Sequence, residues 1–225
     1  MPGIQLRQVH LDTFRQRAPA SSVVIKLMMA CNDMAHANQA LADWKAEARR
    51  ERSAKKHSAG MYFVRTQMAH LYEGMKIIEE IANSAELMTL VDRCDEQTKQ
   101  SFADLKSCLR GGAKHQHFNR LIGQVRHNVT FHYHQSGELI DRAAAALASQ
   151  PERRTSSVTR GSDAYRWHFK LADDIIDNIV VHQIWQVEPG ASVSEEADGI
   201  ADELHRIFLS YMDFAGEFIW RYCER

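Results

Sequence analysis

Apolar residues recur along this chain at alternating steps of three and four, and nowhere do they alternate with a period of two over a useful length. The clearest run predicts a helix from about Ser58 to Asn83, with Met61, Val64, Met68, Leu71, Met75, Ile78 and Ala82 on one face. Upstream, Val24, Leu27, Cys31, Met34, Asn38 and Leu41 keep the same rhythm and predict its partner. The two are joined through the charged run Lys45 to Lys56, whose mixed signs suit a solvated helix end and connector better than a nucleic-acid patch. Methionines on the apolar face could form a pliable partner groove, but core filling is the plainer reading.

Proline is absent between Pro19 and Pro151, so this tract can be helical without a lost backbone donor or a ring clash. Phe102, Leu105 and Leu109 mark a further helix that stops at Gly111 and Gly112, because glycine tolerates the left-handed closing conformation. A new helix should start near Lys114 and carry His115, His117, Phe118, Leu121, Ile122 and Val125. Residues 138–150 read as an alanine-rich helix, and 151–163 as a polar, basic loop. Tyr165, Phe169, Ala172, Ile176 and Ile179 predict another helix; Ile200, Leu204, Ile207, Tyr211, Phe214 and Phe218 predict the last, after a turn at 188–196. The expected fold is all-α: an antiparallel helical bundle with long helices and an appended C-terminal helix pair. One helical domain, 1–225, is expected, divisible into a core bundle 1–150 and C-terminal helices 164–225. The runs 176–185 and 187–193 leave room for one minor strand pair.

Composition narrows the function classes. With 225 residues, 44% hydrophobic, the chain can bury its own core. A formal net charge of -1 argues against holding duplex nucleic acid by a broad basic surface, while a local basic cleft stays open. The cysteines Cys31, Cys94, Cys108 and Cys223 form no CxxC pair, so neither a zinc knuckle nor a disulfide framework is suggested. The N-terminus lacks the apolar core of a signal peptide, and no apolar run approaches the roughly 20 residues of a membrane helix. The expectation is a soluble, cytoplasmic protein with no membrane association.

Candidate chemistry concentrates in RHNVTFHYHQ, Arg126 to Gln135, where an arginine and three histidines surround two aromatic rings. At about 100° per residue, Asn128 and His132 share one helical face, and His127, Phe131 and His134 line another. Arg126 and His132 fall about 120° apart, within reach of a common cleft for a long arginine. Histidine moves protons near neutral pH, and a guanidinium suits phosphate. A neighbouring amide, Asn128, could orient a nucleotide. RNA cleavage by its own 2′-hydroxyl needs only positioning, proton transfer and charge stabilisation, without metal or cofactor.

The stretch from Arg126 to His132 resembles the Arg-x4-6-His signature of the HEPN superfamily, small helical bundles that include toxin and defence ribonucleases. The continuation Phe131-His132-Tyr133 looks like the Arg-Asn-x-x-x-Phe-His-Tyr form of uncharacterised bacterial helical proteins of that kind, with the asparagine displaced by one place. The resemblance implies a homodimer in which two motif helices face each other across one RNA or nucleotide cleft. Arg126 would meet phosphate and His132 take part in cleavage, with His127, Asn128, Tyr133 and His134 supporting or binding nucleotide.

Two other readings stay open at this stage. In the first, the histidines and Arg126 form a hydrogen-bonded structural feature of a non-catalytic helical dimer or scaffold that binds a protein partner. In the second, His115, His117, His127, His132 and His134, with the acidic trio Asp173, Asp174 and Asp177, bind a metal, although no HxxxH or ExxH spacing marks that cluster. His70 and Glu73 form an isolated HxxE. Trp167, His168, Trp185, Trp220 and Tyr222 suit packing better than base stacking.

Overall fold

The computed structural model describes residues 6–48, 54–130, 137–160, 168–190 and 193–224. The chain is an all-α helical bundle. Helix α1 (Leu11–Gln16) precedes two 29-residue helices, α2 (Ala20–Ala48) and α3 (Ala54–Ala82). Of the apolar stripe expected on α3, Met68, Leu71, Met75 and Ile78 are buried, so Met68 and Met75 fill core, while Met61, Val64 and Ala82 are half-buried. Of the charged connector, 49–53 lie outside the described residues.

Local chemistry sets the next boundaries. The Ser84 hydroxyl accepts from the Leu87 amide and opens α4 (Ala85–Val91). Asp95 does the same for α5 (Glu96–Cys108), accepting from the Thr98 amide at 2.7 Å. That hydrogen bond holds the Asp95 carboxyl below the usual carboxylate range. Beyond α5, Gly111 adopts φ +84°, the left-handed closing conformation expected of it.

Helix α6 (His115–Phe118) continues into two π-helical segments, Asn119–Gly123 and Arg126–Thr130. Helix α7 (Glu138–Ala148) is followed by a 3-10 turn at Pro151–Arg153. Strands β1 (Val158–Thr159) and β2 (His168–Phe169) pair antiparallel, with Val158 opposite Phe169. Helix α8 (Lys170–Asn178) runs on as a π-helix over Ile179–Ile184, and α9 (Val193–Tyr222) closes the order.

Two expectations need correction. The helix expected from Tyr165 opens only at Lys170; Phe169 belongs to the ribbon instead, facing a β-branched partner from the segment read as loop. Tyr165 itself lies outside the described residues. The run 176–185, held open as a strand, is helical as far as Ile184: buried Asn178, Ile179 and Val180 follow one another between half-buried positions, so no period of two runs through it.

The chain forms two compact units. One contains 1–33, 73–115 and 205–225; the other contains 34–72 and 116–204. In the first, Phe214 and Phe218 on α9 are fully buried, and the Phe214 ring lies 4.7 Å from that of Phe102. Burying each such side chain stabilises by about 1.5–3 kcal/mol. Tyr222 packs on Phe14, and Arg7 sits 4.2 Å over the Trp220 ring, so these C-terminal aromatics serve packing. In the second unit, Leu121, Ile122 and Val125 are buried, and the indole N–H of buried Trp185 donates to the Leu121 carbonyl at 3.2 Å. No helix among the described residues is long and apolar enough to cross a membrane.

Candidate functional site

The described half of the histidine-rich motif sits in a wide helical turn. The Thr130 hydroxyl donates to the Val125 carbonyl five residues back, consistent with the π-helical repeat of Arg126–Thr130. Widening changes which residues share a face, so positions assigned at about 100° per residue rotate. Asn128 folds onto its own helix: its amide donates to the Gln124 carbonyl at 2.8 Å and to the Gln124 side chain at 3.0 Å.

His127 is exposed and meets α3. Its Nε2 is hydrogen-bonded to the Tyr72 hydroxyl at 3.1 Å, with the two rings edge to face at 80°. The Tyr72 ring also stacks parallel to Phe118, 6.4 Å away. Gly123 makes room for this arrangement: a Cβ there would meet the Asn119 side chain and the Tyr72 ring, the latter at 3.3 Å. Arg65, one helical face along α3 from Tyr72, donates to the Val129 carbonyl. A cation thereby meets the carbonyl end of the motif turn, where the helix dipole favours positive charge.

Arg126 is half-buried within this turn. His132, Tyr133 and His134, with Phe131 between them and Arg126, lie outside the described residues. The structure therefore brings His127 and Asn128 into one supported turn with Arg126. Sequence reading missed Arg65 and Tyr72, which hold that turn from α3. The available signal was their spacing of seven, which puts both on one helical face beside the apolar stripe.

Of the residues expected as metal ligands, His115, His117, Asp173 and Asp174 are engaged elsewhere, and His132 and His134 lie outside the described residues. His115 hydrogen-bonds the Cys108 carbonyl. Arg120 donates to His117 Nδ1, which must then accept, so His117 Nε2 carries the hydrogen given to Glu203 at 2.8 Å. His168 pairs with Asp173 at 2.9 Å, and Lys170 with Asp174 at 2.6 Å. Among the described residues no group of three or more His, Cys, Asp or Glu side chains converges on a metal position. Asp177 is the strained acid of the trio: burial, then the charges of Asp173 and Asp174, push its carboxyl up to about 6, against the pull of Arg65 and Lys170.

Beside the motif turn lies an apolar groove of about 390 Å³. Val129, Ile140, Val158, Phe169 and Leu171 line it, and Asn128 contributes at its edge. Ile140, Val158, Phe169 and Leu171 are exposed, an unusual concentration for large apolar side chains. No family model matches this chain, and no curated protein or solved structure matches it.

Proposed function

We propose that the chain is an RNA- or nucleotide-binding helical protein of the HEPN type, with Arg126 meeting phosphate and His132 handling a proton. One observation supports this reading above the rest. Arg126, His127 and Asn128 occupy a π-helical turn, a rare conformation that recurs at functional sites because it sacrifices regular hydrogen bonding. Tyr72 and Arg65 brace that turn from α3, in keeping with a site whose residues must hold position. In this reading His127 and Asn128 position the turn, while Arg126 touches substrate. For cleavage, the ribose 2′-oxygen attacks the adjacent phosphorus and the 5′-oxygen leaves; the protein supplies position, proton transfer and compensation of charge.

The test is cleavage and binding of single-stranded RNA in the presence of a chelator, with Arg126→Ala and His132→Ala proteins alongside. Loss of cleavage in both, with binding weakened mainly in Arg126→Ala, is the expected result. Cleavage and binding unchanged in both variants would remove the reading.

The apolar groove favours a second reading, a helical dimer without catalysis, in which a second copy of the chain covers Ile140, Val158, Phe169 and Leu171. Light scattering on the purified protein and on a Phe169→Glu/Leu171→Glu double variant decides it. A dimer that becomes monomeric in the variant supports this reading, and a monomeric wild-type chain ends it.

A further inference from the structure

Outside the motif, a chain of hydrogen-bonded polar side chains crosses the surface of the unit containing 34–72 and 116–204: Gln186, Arg120, His117 and Glu203. Arg120 lies in the π-helical segment Asn119–Gly123, His117 one turn earlier on α6, and Glu203 on α9. Gln186 follows the π-helical continuation of α8 with φ +61°, the one positive φ outside glycine among the described residues. Residues other than glycine hold that conformation at a cost, and such outliers cluster at ligand clamps and switch regions.

The order of bonding fixes the hydrogens. A guanidinium only donates, so His117 Nδ1 accepts from Arg120 at 3.1 Å, and Nε2 carries the hydrogen that faces both Glu203 oxygens at 2.8 and 3.0 Å. A carboxylate behind an imidazole orients the ring and supports positive charge on it, the arrangement used where histidine handles a proton. Arg120 is the unusual member. A surface arginine within reach of a carboxylate commonly takes it in its planar fork, whereas here Glu203 goes to the histidine. Arg120 instead bonds two neutral acceptors, His117 Nδ1 and, at 3.3 Å, the Gln186 side-chain oxygen, and no carboxylate pairs with it among the described residues. The side chain is exposed, so a guanidinium positioned by neutral groups keeps its charge for an anion from solution.

Geometry selects the anion. A planar carboxylate spends both its oxygens on the guanidinium fork. A phosphoryl group meets the same fork and still offers an oxygen outside that plane, where a neighbouring imidazole can donate. When Arg120 turns to such a ligand it releases Nδ1, and a proton there gives His117 a second donor while Glu203 balances the added charge across the ring. The charged groups in contact with His117 are Arg120 on its own helix, which opposes that proton, and Glu203 on α9, which favours it. Moving Arg120 onto an anion removes the opposing contact.

We propose that Arg120, His117 and Glu203 form a phosphate-ester site: Arg120 takes the phosphoryl oxygens, protonated His117 donates to a further one, and Glu203 holds the imidazole in position. The RNA reading at Arg126 and His132 uses none of these residues, so the two stand or fall separately. The same phosphoryl group occurs on a free phosphate ester and along a nucleic-acid backbone, so both sources are tested.

Nuclear magnetic resonance of the full chain with labelled histidine is the direct experiment, the His117 ring signal being the one that His117→Asn removes. The probes are glycerol 2-phosphate, dimethyl phosphate and hexauridylate, with acetate as the control anion. Glycerol 2-phosphate and dimethyl phosphate should each shift the His117 signal saturably, with half-saturation on the order of 1 mM, and acetate should bind at least about tenfold more weakly. Dimethyl phosphate keeps one charge throughout, so its affinity should rise about threefold or more from about pH 8 to about pH 6 as the imidazole gains its second hydrogen. Arg120→Gln should lower affinity about tenfold. Glu203→Gln, which keeps an acceptor for Nε2 without its charge, should flatten the pH dependence. Tighter binding of glycerol 2-phosphate than of hexauridylate at the His117 signal assigns a free ester, and the reverse assigns a nucleic-acid backbone; either supports the site. No saturable shift with any phosphate probe up to about 50 mM overturns it, as does acetate binding equally well or affinity unchanged in Arg120→Gln. Should the variants fail to fold, the wild-type protein decides: affinity for dimethyl phosphate that does not rise towards about pH 6 overturns the site.

Discussion

The Tyr72 hydroxyl and His127 Nε2 lie 3.1 Å apart across 55 positions of sequence, so the second residue of the arginine–histidine motif is held in place from α3. Removing only the hydroxyl separates that bond from the packing of the ring on Phe118. Tyr72→Phe should lower stability by about 1 kcal/mol or less, since the bond is solvent-exposed, whereas Tyr72→Ala should cost about 2–4 kcal/mol through lost packing. Urea denaturation of the two variants measures this. Equal losses would mean that the hydroxyl, and not the ring, carries the contact.

The two glycines after α5 make a contrasting pair. At Gly112 a Cβ would run into the backbone carbonyl of Ser107, which cannot swing aside as a side chain can. At Gly111 there is open space, but φ is +84°. Gly111→Ala should therefore cost about 1 kcal/mol of backbone strain, and Gly112→Ala about 2–3 kcal/mol because the turn must shift. Thermal unfolding of both single variants would show the order; a larger loss at Gly111 would contradict it.

Trp185 is 5% exposed and gives its indole hydrogen to the Leu121 carbonyl, at the π-helical start of the motif helix. Trp185→Phe should leave that carbonyl short of a donor inside the core and remove ring volume, costing about 2–4 kcal/mol. Chemical denaturation followed by circular dichroism checks the value. A change below about 0.5 kcal/mol would show that water reaches the carbonyl in place of the indole.

Much of the helical layout was legible because burial follows the spacing in α3, where Met68, Leu71, Met75 and Ile78 alternate with polar positions. The stretch around Asn178, Ile179 and Val180 was ambiguous because all three are buried in succession, polar Asn178 included, so polarity does not follow the helical period there. The candidate site was legible in residue type but less so in geometry. Helical-wheel arithmetic assumes about 100° per residue. The π-helical turn at Arg126–Thr130 breaks that assumption, as the Thr130 hydroxyl shows by reaching the Val125 carbonyl five residues back. The spacing of seven puts Arg65 and Tyr72 on one face of α3, but they reach the motif over 64 and 55 positions, and that spacing does not say which turn they meet.

Asp177 gives stability a characteristic dependence on pH. Its carboxyl ionises at about 6 in the folded chain, against an ordinary value of 3.8, because burial and the charges of Asp173 and Asp174 penalise the anion. Below about pH 4 the group is protonated in both states and has no effect on stability. Between about pH 4 and 6 the unfolded chain releases the proton while the folded chain retains it, so this group's contribution to stability falls as pH rises. Above about 6 the loss is complete and can reach the order of 3 kcal/mol. Asp177→Asn removes the ionisation, so the variant should be more stable than the wild type at about pH 7.5, with the difference shrinking to near zero at about pH 4. Paired urea titrations across that range measure the difference directly. A variant that is less stable at neutral pH would show that the carboxylate is stabilised by Arg65 and Lys170 more strongly than burial disfavours it.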